Sequence, residues 1–566
     1  MRVHCLARAV LFVLLPAILL AQAREADCKS CHDAEAKVSA SAHASLSCDT
    51  CHDQHTTYPH PQGVEKPACA TCHSQQAEAT SKNVHGLALK AGNTGAPDCA
   101  TCHGGGHEVA KVSVPQFRQT LADTCGMCHT EAAEKFKASV HGQAVAKGLR
   151  GAPTCTDCHG EHTILAKDQI ASPVHRRNIR DTCGRCHGDV RLASRFGLPT
   201  DRVTSFDASF HGLAAKGGAQ SVANCASCHG FHDVLPSSDP KSMIHPSNLP
   251  QTCGQCHPGA GTRFSLGTIH FTEGGNEPGP VRWVRLAYWI LIPFTVGLMF
   301  LHQAGDWIRK LLTLRFRPAS PAAAPRPNGE LRMYPFERIQ HALLAVSFVV
   351  LAWTGFALKW PDAWWAKPLV AWESVWPVRG TVHRIAAVVF MICGVMHLAS
   401  LVLSPRLRRH WMELIPHRRD FREGLAMLAY NLGLRKTKPQ VSPHGYVEKV
   451  EYWAVVWGAV IMGISGLLLW FNTWSLQQFP KIWLDVATAV HYYEAVLACL
   501  AILVWHFYTV IFDPEVYPMD PAWLTGRSVR RRQAGPHSPE ASPLSEPAPG
   551  LASASPAPTA ASPSAD

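Results

Sequence analysis

Nine copies of one pattern, Cys-x-x-Cys-His, lie between Cys28 and His257 and constrain this chain more than any other feature. The spacing is that of the c-type haem attachment signature. Two thiols bond the vinyl groups of one porphyrin, and the adjacent imidazole then binds its iron. A single copy is equally compatible with half of a zinc site, but nine copies, all ending in histidine, indicate nine covalent haems.

Each copy supplies two attachment points and one iron ligand, so the array uses 18 of the 21 cysteines. The predicted thioether cysteines are Cys28, Cys31, Cys48, Cys51, Cys69, Cys72, Cys99, Cys102, Cys125, Cys128, Cys155, Cys158, Cys183, Cys186, Cys225, Cys228, Cys253 and Cys256. The predicted iron ligands on the same side are His32, His52, His73, His103, His129, His159, His187, His229 and His257.

Twelve further histidines fall in this region, and nine irons need at most nine second ligands. A second imidazole closes an iron to substrate and suits it to electron transfer. The predicted second ligands are His43, His85, His141, His162, His175, His211, His232, His245 and His270, which leaves His55, His60 and His107. Phe117 stands before Cys125 where a histidine stands before two similar sites, so that haem is the candidate for an open iron.

An internal repeat organises the array. The segment SVHGQAVAKGLRGAPTCTDCHGEH from Ser139 has relatives beginning at Asn83 and Ser209, and each leads to a second site of the form Thr-Cys-Gly-x-Cys-His. Three two-haem units therefore follow three irregular haem sites. Aliphatic residues are too sparse here for an ordinary core. The sequence predicts a multihaem cytochrome c domain of loops and short helices, with haems as its core.

Five apolar spans follow, each long enough to cross a bilayer. They are Trp283–His302, Phe336–Leu358, Val382–Leu403, Tyr452–Phe471 and Val486–Phe512. Lysine and arginine cluster after the first, third and fifth spans, and tryptophan after the second and fourth. The positive-inside rule then puts the haem array outside and the C-terminus in the cytoplasm. The same clusters explain the net charge of +11, so we expect no nucleic-acid partner.

The predicted domains are a signal peptide (1–23), a periplasmic nine-haem domain (24–275), an anchor helix with linker (276–329), a membrane domain (330–525) and a disordered cytoplasmic tail (526–566). The fold class is the multihaem domain plus an all-α transmembrane four-helix bundle with one additional N-terminal membrane helix. The expected location is a bacterial inner membrane.

Ionisable residues inside a bilayer are costly and mark candidate functional sites. The histidines in the spans are His302, His341, His383, His397, His491 and His506. Histidines at the same predicted depth in the membrane can share a haem. These are His383 with His491 near the outer face and His341 with His506 near the inner face. The 15 residues between His491 and His506 rise about 22 Å, which accommodates two stacked haems. His397 is a rival for His341, His302 has no assigned role, and polar contacts between helices are the alternative reading.

Four segments resemble the cytochrome b subunit of respiratory formate dehydrogenase and membrane nickel-iron hydrogenase. They are RIQHALLAVSFVVLAWTGFALKWP from Arg338, GTVHRIAAVV from Gly380, EYWAVVWGAVIMGISGLLLW from Glu451 and HYYEAVLACLAILVWHFY from His491. The resemblance runs from Glu330 to about Pro514 and implies two b haems on His341, His383, His491 and His506. The spacing on the last helix is one residue longer here than in the family.

The fusion of nine c haems to this domain resembles the inner-membrane nine-haem quinol oxidases of metal-reducing bacteria. It implies quinol oxidation at the cytoplasmic-side haem, with the menaquinone or ubiquinone pool as donor and periplasmic cytochromes or other redox partners as acceptors. The family's quinone pocket includes a region matching HGYVEKVEYW from His444, without the family's Asn and Gly. Glu448 and Glu451 are the candidate proton acceptors there; a solvated helix start, where acidic residues are favoured anyway, is the alternative.

Three other functions stay open at this point. Electrons can flow in reverse, from a periplasmic donor to quinone. The chain can be the electron-transfer subunit of a larger respiratory complex. An open iron can reduce a nitrogen or sulfur oxyanion.

Overall fold

The computed structural model describes residues 28–53, 60, 62, 66–264, 267, 269–272, 275, 277–316, 330–442 and 445–528. The predicted signal peptide, the linker Pro318–Asn328, the tail beyond Ser528, His55 and His444 lie outside the described residues. The chain forms two compact units. The first comprises the chain up to Arg282 with Thr354–Gly380 and Phe471–Asp485; the second comprises Trp283–Trp353, Thr381–Trp470 and the chain from Val486.

Short helices and loops make up the N-terminal part, as predicted. The helices are α1 (Glu35–Ala40), α2 (Ser74–Lys82), α3 (Val84–Lys90), α4 (Cys99–His103), α5 (Pro115–Gly126), α6 (Thr130–Ala138), α7 (Val140–Ala146), α8 (Cys155–His159), α9 (Ile179–His187), α10 (Val190–Arg195), α11 (Arg202–Ala208), α12 (Phe210–Lys216), α13 (Cys225–His229) and α14 (Leu249–Gly254), with 3₁₀ turns at Cys28–Ser30, Cys48–Thr50 and Cys69–Thr71. Most buried apolar residues of this part are alanines. The protein atoms alone therefore form little hydrophobic core, in agreement with haems supplying it.

The C-terminal part is built from long helices. They are α15 (Gly279–Phe316), α16 (Pro335–Lys359), α17 (Lys367–Val370), α18 (Val378–Leu403), α19 (Pro405–Met412), α20 (Arg418–Asn431), α21 (Tyr446–Trp470), α22 (Asn472–Gln478), α23 (Lys481–Ala501, continuing to Phe512) and α24 (Ala522–Thr525). Five of them, α15, α16, α18, α21 and α23, are long and apolar enough to cross a membrane. The predicted five spans are confirmed, and the chain is a multi-pass membrane protein.

A short antiparallel pairing joins both ends of the four-helix segment. Strand β1 (Glu330–Leu331) pairs with β2 (Arg527–Ser528), with Leu331 opposite Arg527. This contact fixes the segment before α16 against the segment after α23.

The two tryptophan-rich connections belong to the same compact unit as the haem attachment patterns. Lys216 forms an ion pair with Asp362 at 2.5 Å, in the connection after α16. The Gln477 side chain donates a hydrogen bond to the Pro258 carbonyl at 3.2 Å, in the connection after α21. Both connections therefore contact the part of the chain that carries the nine patterns.

Candidate haem-binding sites

Each of the nine pattern histidines faces one second histidine ring. Imidazole nitrogens bind transition metals at about 2 Å, so two rings across one iron have centres about 6 Å apart. The observed distances between ring centres are His32–His60 6.2 Å, His52–His107 5.9 Å, His73–His43 6.1 Å, His103–His162 6.0 Å, His129–His85 6.3 Å, His159–His232 6.0 Å, His187–His141 6.2 Å, His229–His270 6.3 Å and His257–His211 6.3 Å. All nine spacings fit one iron between two imidazoles.

The repeat places its second ligand through a capped helix start. Ser139 is the N-cap of α7, and its hydroxyl accepts a hydrogen bond from the Gly142 N–H at 3.1 Å. A Cβ atom on Gly142 would lie 2.0 Å from the Phe136 carbonyl oxygen, so only glycine fits there. His141, between cap and glycine, is held opposite His187. Asn83 with Gly86 and Ser209 with Gly212 repeat the arrangement at α3 and α12.

The histidine pairs also join successive repeats. Within a repeat, the histidine of the capped helix faces the second site, as His141 faces His187. The first site of each repeat instead faces a histidine of the next repeat, as His103 faces His162 and His159 faces His232. An iron held by such a pair would cross-link two repeats, so haem binding would stabilise the order of the array.

Attachment sites that are consecutive in sequence lie close enough for their cysteines to interact electrostatically. From the third site to the ninth, a cysteine of each site interacts with a cysteine of the next: Cys69 with Cys99, Cys102 with Cys125, Cys125 with Cys155, Cys158 with Cys186, Cys183 with Cys225 and Cys228 with Cys253. Cys28 likewise interacts with Cys48. Seven sites therefore form one continuous row.

Two predicted second ligands are not placed in these pairs. The Nδ1 atom of His175 accepts a hydrogen bond from the Arg177 N–H at 3.3 Å, and that of His245 accepts one from the Ser247 N–H at 3.3 Å. Both rings thus stabilise the turns before α9 and α14. The structure places His60 and His107 in the pairs instead. His107, like His162 and His232, stands three or four residues after a Cys-x-x-Cys-His pattern that is followed by glycine, so the sequence contained a signal for this ligand. No comparable pattern marks His60.

The candidate for an open iron also has a second histidine. His129, in the site of Cys125, faces His85 from the start of the same repeat. Phe117, which occupies the expected ligand position, stacks on His103 with ring centres 6.0 Å apart. The structure thus offers this haem a second histidine from the capped helix rather than from the turn preceding the site.

Burial favours the neutral form of four imidazoles in these pairs. Desolvation, with a smaller contribution from the neighbouring His187, lowers the pKa of His141 to about 4. Burial also lowers the pKa of His211, His229 and His257. A neutral ring offers the lone pair that a metal ion requires. These four rings are therefore in the protonation state suited to iron at neutral pH.

The membrane helices bring together the two histidine pairs chosen by depth. His383 of α18 faces His491 of α23 at 6.4 Å, and His341 of α16 faces His506 at 6.3 Å. Both spacings match those of the nine pairs in the first unit. The four histidines therefore fit two further irons, one above the other along α23.

Hydrogen-bond acceptors lie behind both ligands on α23. The Ser465 hydroxyl is 2.9 Å from His491 Nδ1, and a Glu451 carboxylate oxygen is 3.4 Å from His506 Nδ1. Such partners orient a metal-binding imidazole and raise its basicity. The carboxylate has the stronger effect because it is charged.

A change of helix type accompanies the longer spacing on α23. After Ala501 the helix continues as π-helical turns, Ile502–His506 and Tyr508–Phe512. A π turn accommodates an extra residue within an α-helix. The one residue by which this spacing exceeds that of the resembling family is thus absorbed, and His506 still faces His341.

The remaining predicted residues near the inner pair have protein partners. Glu448 forms an ion pair with Arg332, and Glu451 also accepts a hydrogen bond from Thr509 at 2.9 Å. His302 and His397 each contact a tyrosine hydroxyl of α21 at their Nε2 atoms, Tyr446 at 2.6 Å and Tyr452 at 2.8 Å. Neither histidine faces another histidine ring within the described part of the chain.

Comparisons with known proteins concern the membrane part. Residues 332–518 match the family described as prokaryotic cytochrome b561. The formate dehydrogenase cytochrome b556 subunit of Haemophilus influenzae is 21% identical over 194 residues, covering 34% of this chain and 76% of that protein. No solved structure matches the chain. The segment 332–518 is therefore a cytochrome b domain, of a family that binds b haems and transfers electrons in membranes.

Proposed function

We propose that this chain, with its cytochrome b domain at residues 332–518, oxidises a membrane quinol and conducts the electrons to a periplasmic acceptor. The cofactors are two b haems and nine c haems, the donor is menaquinol or ubiquinol, and the acceptor is a periplasmic cytochrome or another redox protein. The observation that carries this proposal is the set of eleven histidine pairs at 5.9–6.4 Å among the described residues.

An iron with two imidazole ligands supplies one-electron transfer without an open coordination position. The chain holds the pairs at fixed separations. All nine pattern histidines have a facing histidine, so no site favours oxyanion reduction. The proximity of consecutive attachment sites in the row of seven supports transfer along the row, since electron transfer weakens steeply with distance.

The order of the helices supports a path through the membrane. His383 follows Gly380 by three residues and His491 follows Asp485 by six, and both preceding connections belong to the unit with the nine sites. The His341–His506 pair lies about 22 Å further along α23. We therefore place the His383–His491 pair at the periplasmic end and the His341–His506 pair at the quinol end.

Glu448 and Glu451 remain candidate proton acceptors at the quinol end. Their contacts give them further roles: Glu451 orients His506, and Glu448 neutralises Arg332. A substitution of Glu451 should therefore change the redox potential of the inner site as well as any proton transfer.

The test is anaerobic addition of menadiol to the purified chain, with the b and c absorption bands followed separately. The proposal expects the b band to be reduced first and the c band afterwards. In His491→Ala, whose outer membrane pair is broken, b reduction should persist and c reduction should slow strongly. If dithionite reduced the haems of the protein and menadiol did not, the result would contradict the proposal. A redox titration with potentials falling outward would favour reverse flow.

A second candidate is the electron-transfer subunit of a larger complex. The relative from Haemophilus influenzae is described as a subunit, which favours this reading. Quinol oxidation by the chain purified alone would argue against it.

A further inference from the structure

Three titratable side chains follow one face of α15, the helix that precedes the cytochrome b domain. His302, Asp306 and Lys310 are spaced by four residues, so they lie above one another at intervals of about 6 Å. Lys310 Nζ is 2.7 Å from Asp306 and 2.8 Å from Asp513. It also approaches the carboxylate of Glu515, whose side chain is 52% exposed, at 3.8 Å. The row therefore leads from a buried histidine to the surface.

The buried end of the row carries polar atoms without partners. His302 is 8% exposed, and its ring centre lies 5.1 Å from that of Trp505. Among the residues that the structure describes, His302 Nδ1, Gln303 Nε2, Asn431 Oδ1 and Trp505 Nε1 are buried without a hydrogen-bond partner. Asn431 adjoins His302, because its amide nitrogen donates to the His302 carbonyl at 3.2 Å. A buried polar atom without a hydrogen-bond partner is destabilising, which favours a polar occupant.

The chemistry of these atoms suits a hydroquinone. Met427, Tyr446 and Trp505 form a buried apolar cluster with Met299 at its edge. A binding site for a flat apolar ring needs such walls and a few placed donors and acceptors. Trp505 precedes His506, so the cluster adjoins the pair placed at the quinol end. A lipid-soluble ligand also reaches a site between membrane helices directly.

We propose that His302 accepts the protons of a hydroquinone bound beside Trp505, and that Asp306 and Lys310 pass them to the exposed carboxylate of Glu515. This role rests on the proposed quinol oxidation. Oxidation to the quinone breaks two O–H bonds and releases two protons and two electrons. The protons leave in turn through His302, and the electrons leave one at a time to the cytochrome b domain. In this proposed route, a bridging water would carry the proton across the gap of one helical turn between His302 and Asp306.

Charged and titratable groups from three other helices surround the row. Tyr446 of α21 contacts His302 at 2.6 Å, and Glu423 of α20 interacts with Tyr446. The Tyr508 hydroxyl, at the end of α23, donates to Asp306 at 2.6 Å. With Lys310 between Asp306 and Asp513, the carboxylates balance the ammonium and can stabilise an imidazolium at His302.

The test compares three variants: His302→Gln, Asp306→Asn and the control His397→Gln. His397 makes a similar contact with a tyrosine hydroxyl but lies on α18. The readouts are the rate of b-band reduction by menadiol against pH, the binding of a fluorescent hydroxyquinoline N-oxide, and haem content. We expect His302→Gln to slow reduction about 100-fold and to remove the fall in rate at acidic pH. Asp306→Asn should slow reduction and keep inhibitor binding, and His397→Gln should match the unsubstituted chain.

A purely structural role for His302 would lower haem content and leave the shape of the pH profile unchanged, which would overturn the proposal. A wild-type rate in Asp306→Asn would overturn the route, even if His302→Gln failed to fold. Slowing in His397→Gln alone would move the site to the other histidine–tyrosine pair. Failure of the unsubstituted chain to react with menadiol would instead refute quinol oxidation itself.

Discussion

Replacing His107 with asparagine tests the assignment of second ligands most sharply. The exposed His107 ring faces His52 at 5.9 Å, while the sequence pattern favoured His175 and His245 for such roles. Asparagine removes the imidazole and keeps a polar surface side chain. The iron at the Cys48 site should then have one protein ligand and become high-spin.

The size of the effect follows from the number of pairs. Nine pairs in the first unit and two in the membrane give eleven irons among the described sites, so one iron is about 9% of the total. Integrated EPR of oxidised His107→Asn should show this fraction as a new high-spin signal. The c-type haem content should not change, because the thioether bonds of Cys48 and Cys51 remain.

His245→Asn is the matched control. Its ring accepts a hydrogen bond from its own turn and faces no pattern histidine, so all irons should stay low-spin. A fully low-spin His107→Asn protein, or a high-spin signal in His245→Asn, would refute the pairing read from ring geometry.

Four further predictions concern other parts of the chain. His383→Ala should lose one of the two extractable haems and keep nine covalent ones, as measured by pyridine haemochrome after acid-acetone extraction. Ser465→Ala removes the acceptor for His491 Nδ1, and the less basic imidazole then stabilises the ferric iron less. A redox titration should therefore show that the potential of this iron rises by up to about 40 mV, the equivalent of one hydrogen bond. Gly142→Ala should displace the adjacent His141, because its Cβ would meet the Phe136 carbonyl, and should give one high-spin iron by EPR. Lys449→Met leaves Asp420 buried without its ion pair, and denaturant unfolding should show a loss of about 3–5 kcal/mol.

Gly105→Ala should be silent, since a Cβ there meets open space; equal effects at Gly105 and Gly142 would contradict the steric reasoning. An unchanged redox potential in Ser465→Ala would show that this hydrogen bond does not tune the iron. Two extractable haems retained in His383→Ala would show that His383 is not a haem ligand. The double variant Lys449→Met, Asp420→Leu should recover stability, and a larger loss than in the single variant would contradict the buried pair.

The Asp420–Lys449 pair also predicts a pH dependence of stability. Burial alone would raise the pKa of Asp420, but the hydrogen bond and charge of Lys449 lower it below its ordinary value. The folded pKa is therefore below the unfolded value of about 3.9. The stabilisation is complete above that value and is lost as pH falls through the folded pKa. Thermal unfolding of the unsubstituted chain and Lys449→Met should converge in acid; a constant difference would contradict this contribution.

The sequence predicted those features that follow from local chemistry or from helical rise. The Cys-x-x-Cys-His spacing defines an attachment site by itself, and depth along the spans selected the pairs His383–His491 and His341–His506. The second ligands in the first unit were harder, because a histidine such as His162 faces a site in the preceding repeat. The number of residues between a histidine and the nearest cysteine favoured His175 as a ligand. That separation does not show which turn of the folded chain faces which haem attachment site.

The contacts around His302 could not be predicted from the sequence, because they also join residues that are distant in the sequence. The partners Tyr446 and Tyr508 are far away in the sequence, and the contacts depend on how α15 packs against α21 and α23. The π-helical turns before and after Phe507 are a second example. One additional residue between two histidines does not reveal whether the helix will bulge or rotate its ligand away.

The most direct test of the account is the haem inventory of the purified chain, by pyridine haemochrome analysis before and after acid-acetone extraction. The nine attachment sites and the two membrane histidine pairs predict eleven haems per chain, nine that stay bound and two that are extracted. Markedly fewer haems, or no extractable haem at all, would contradict it.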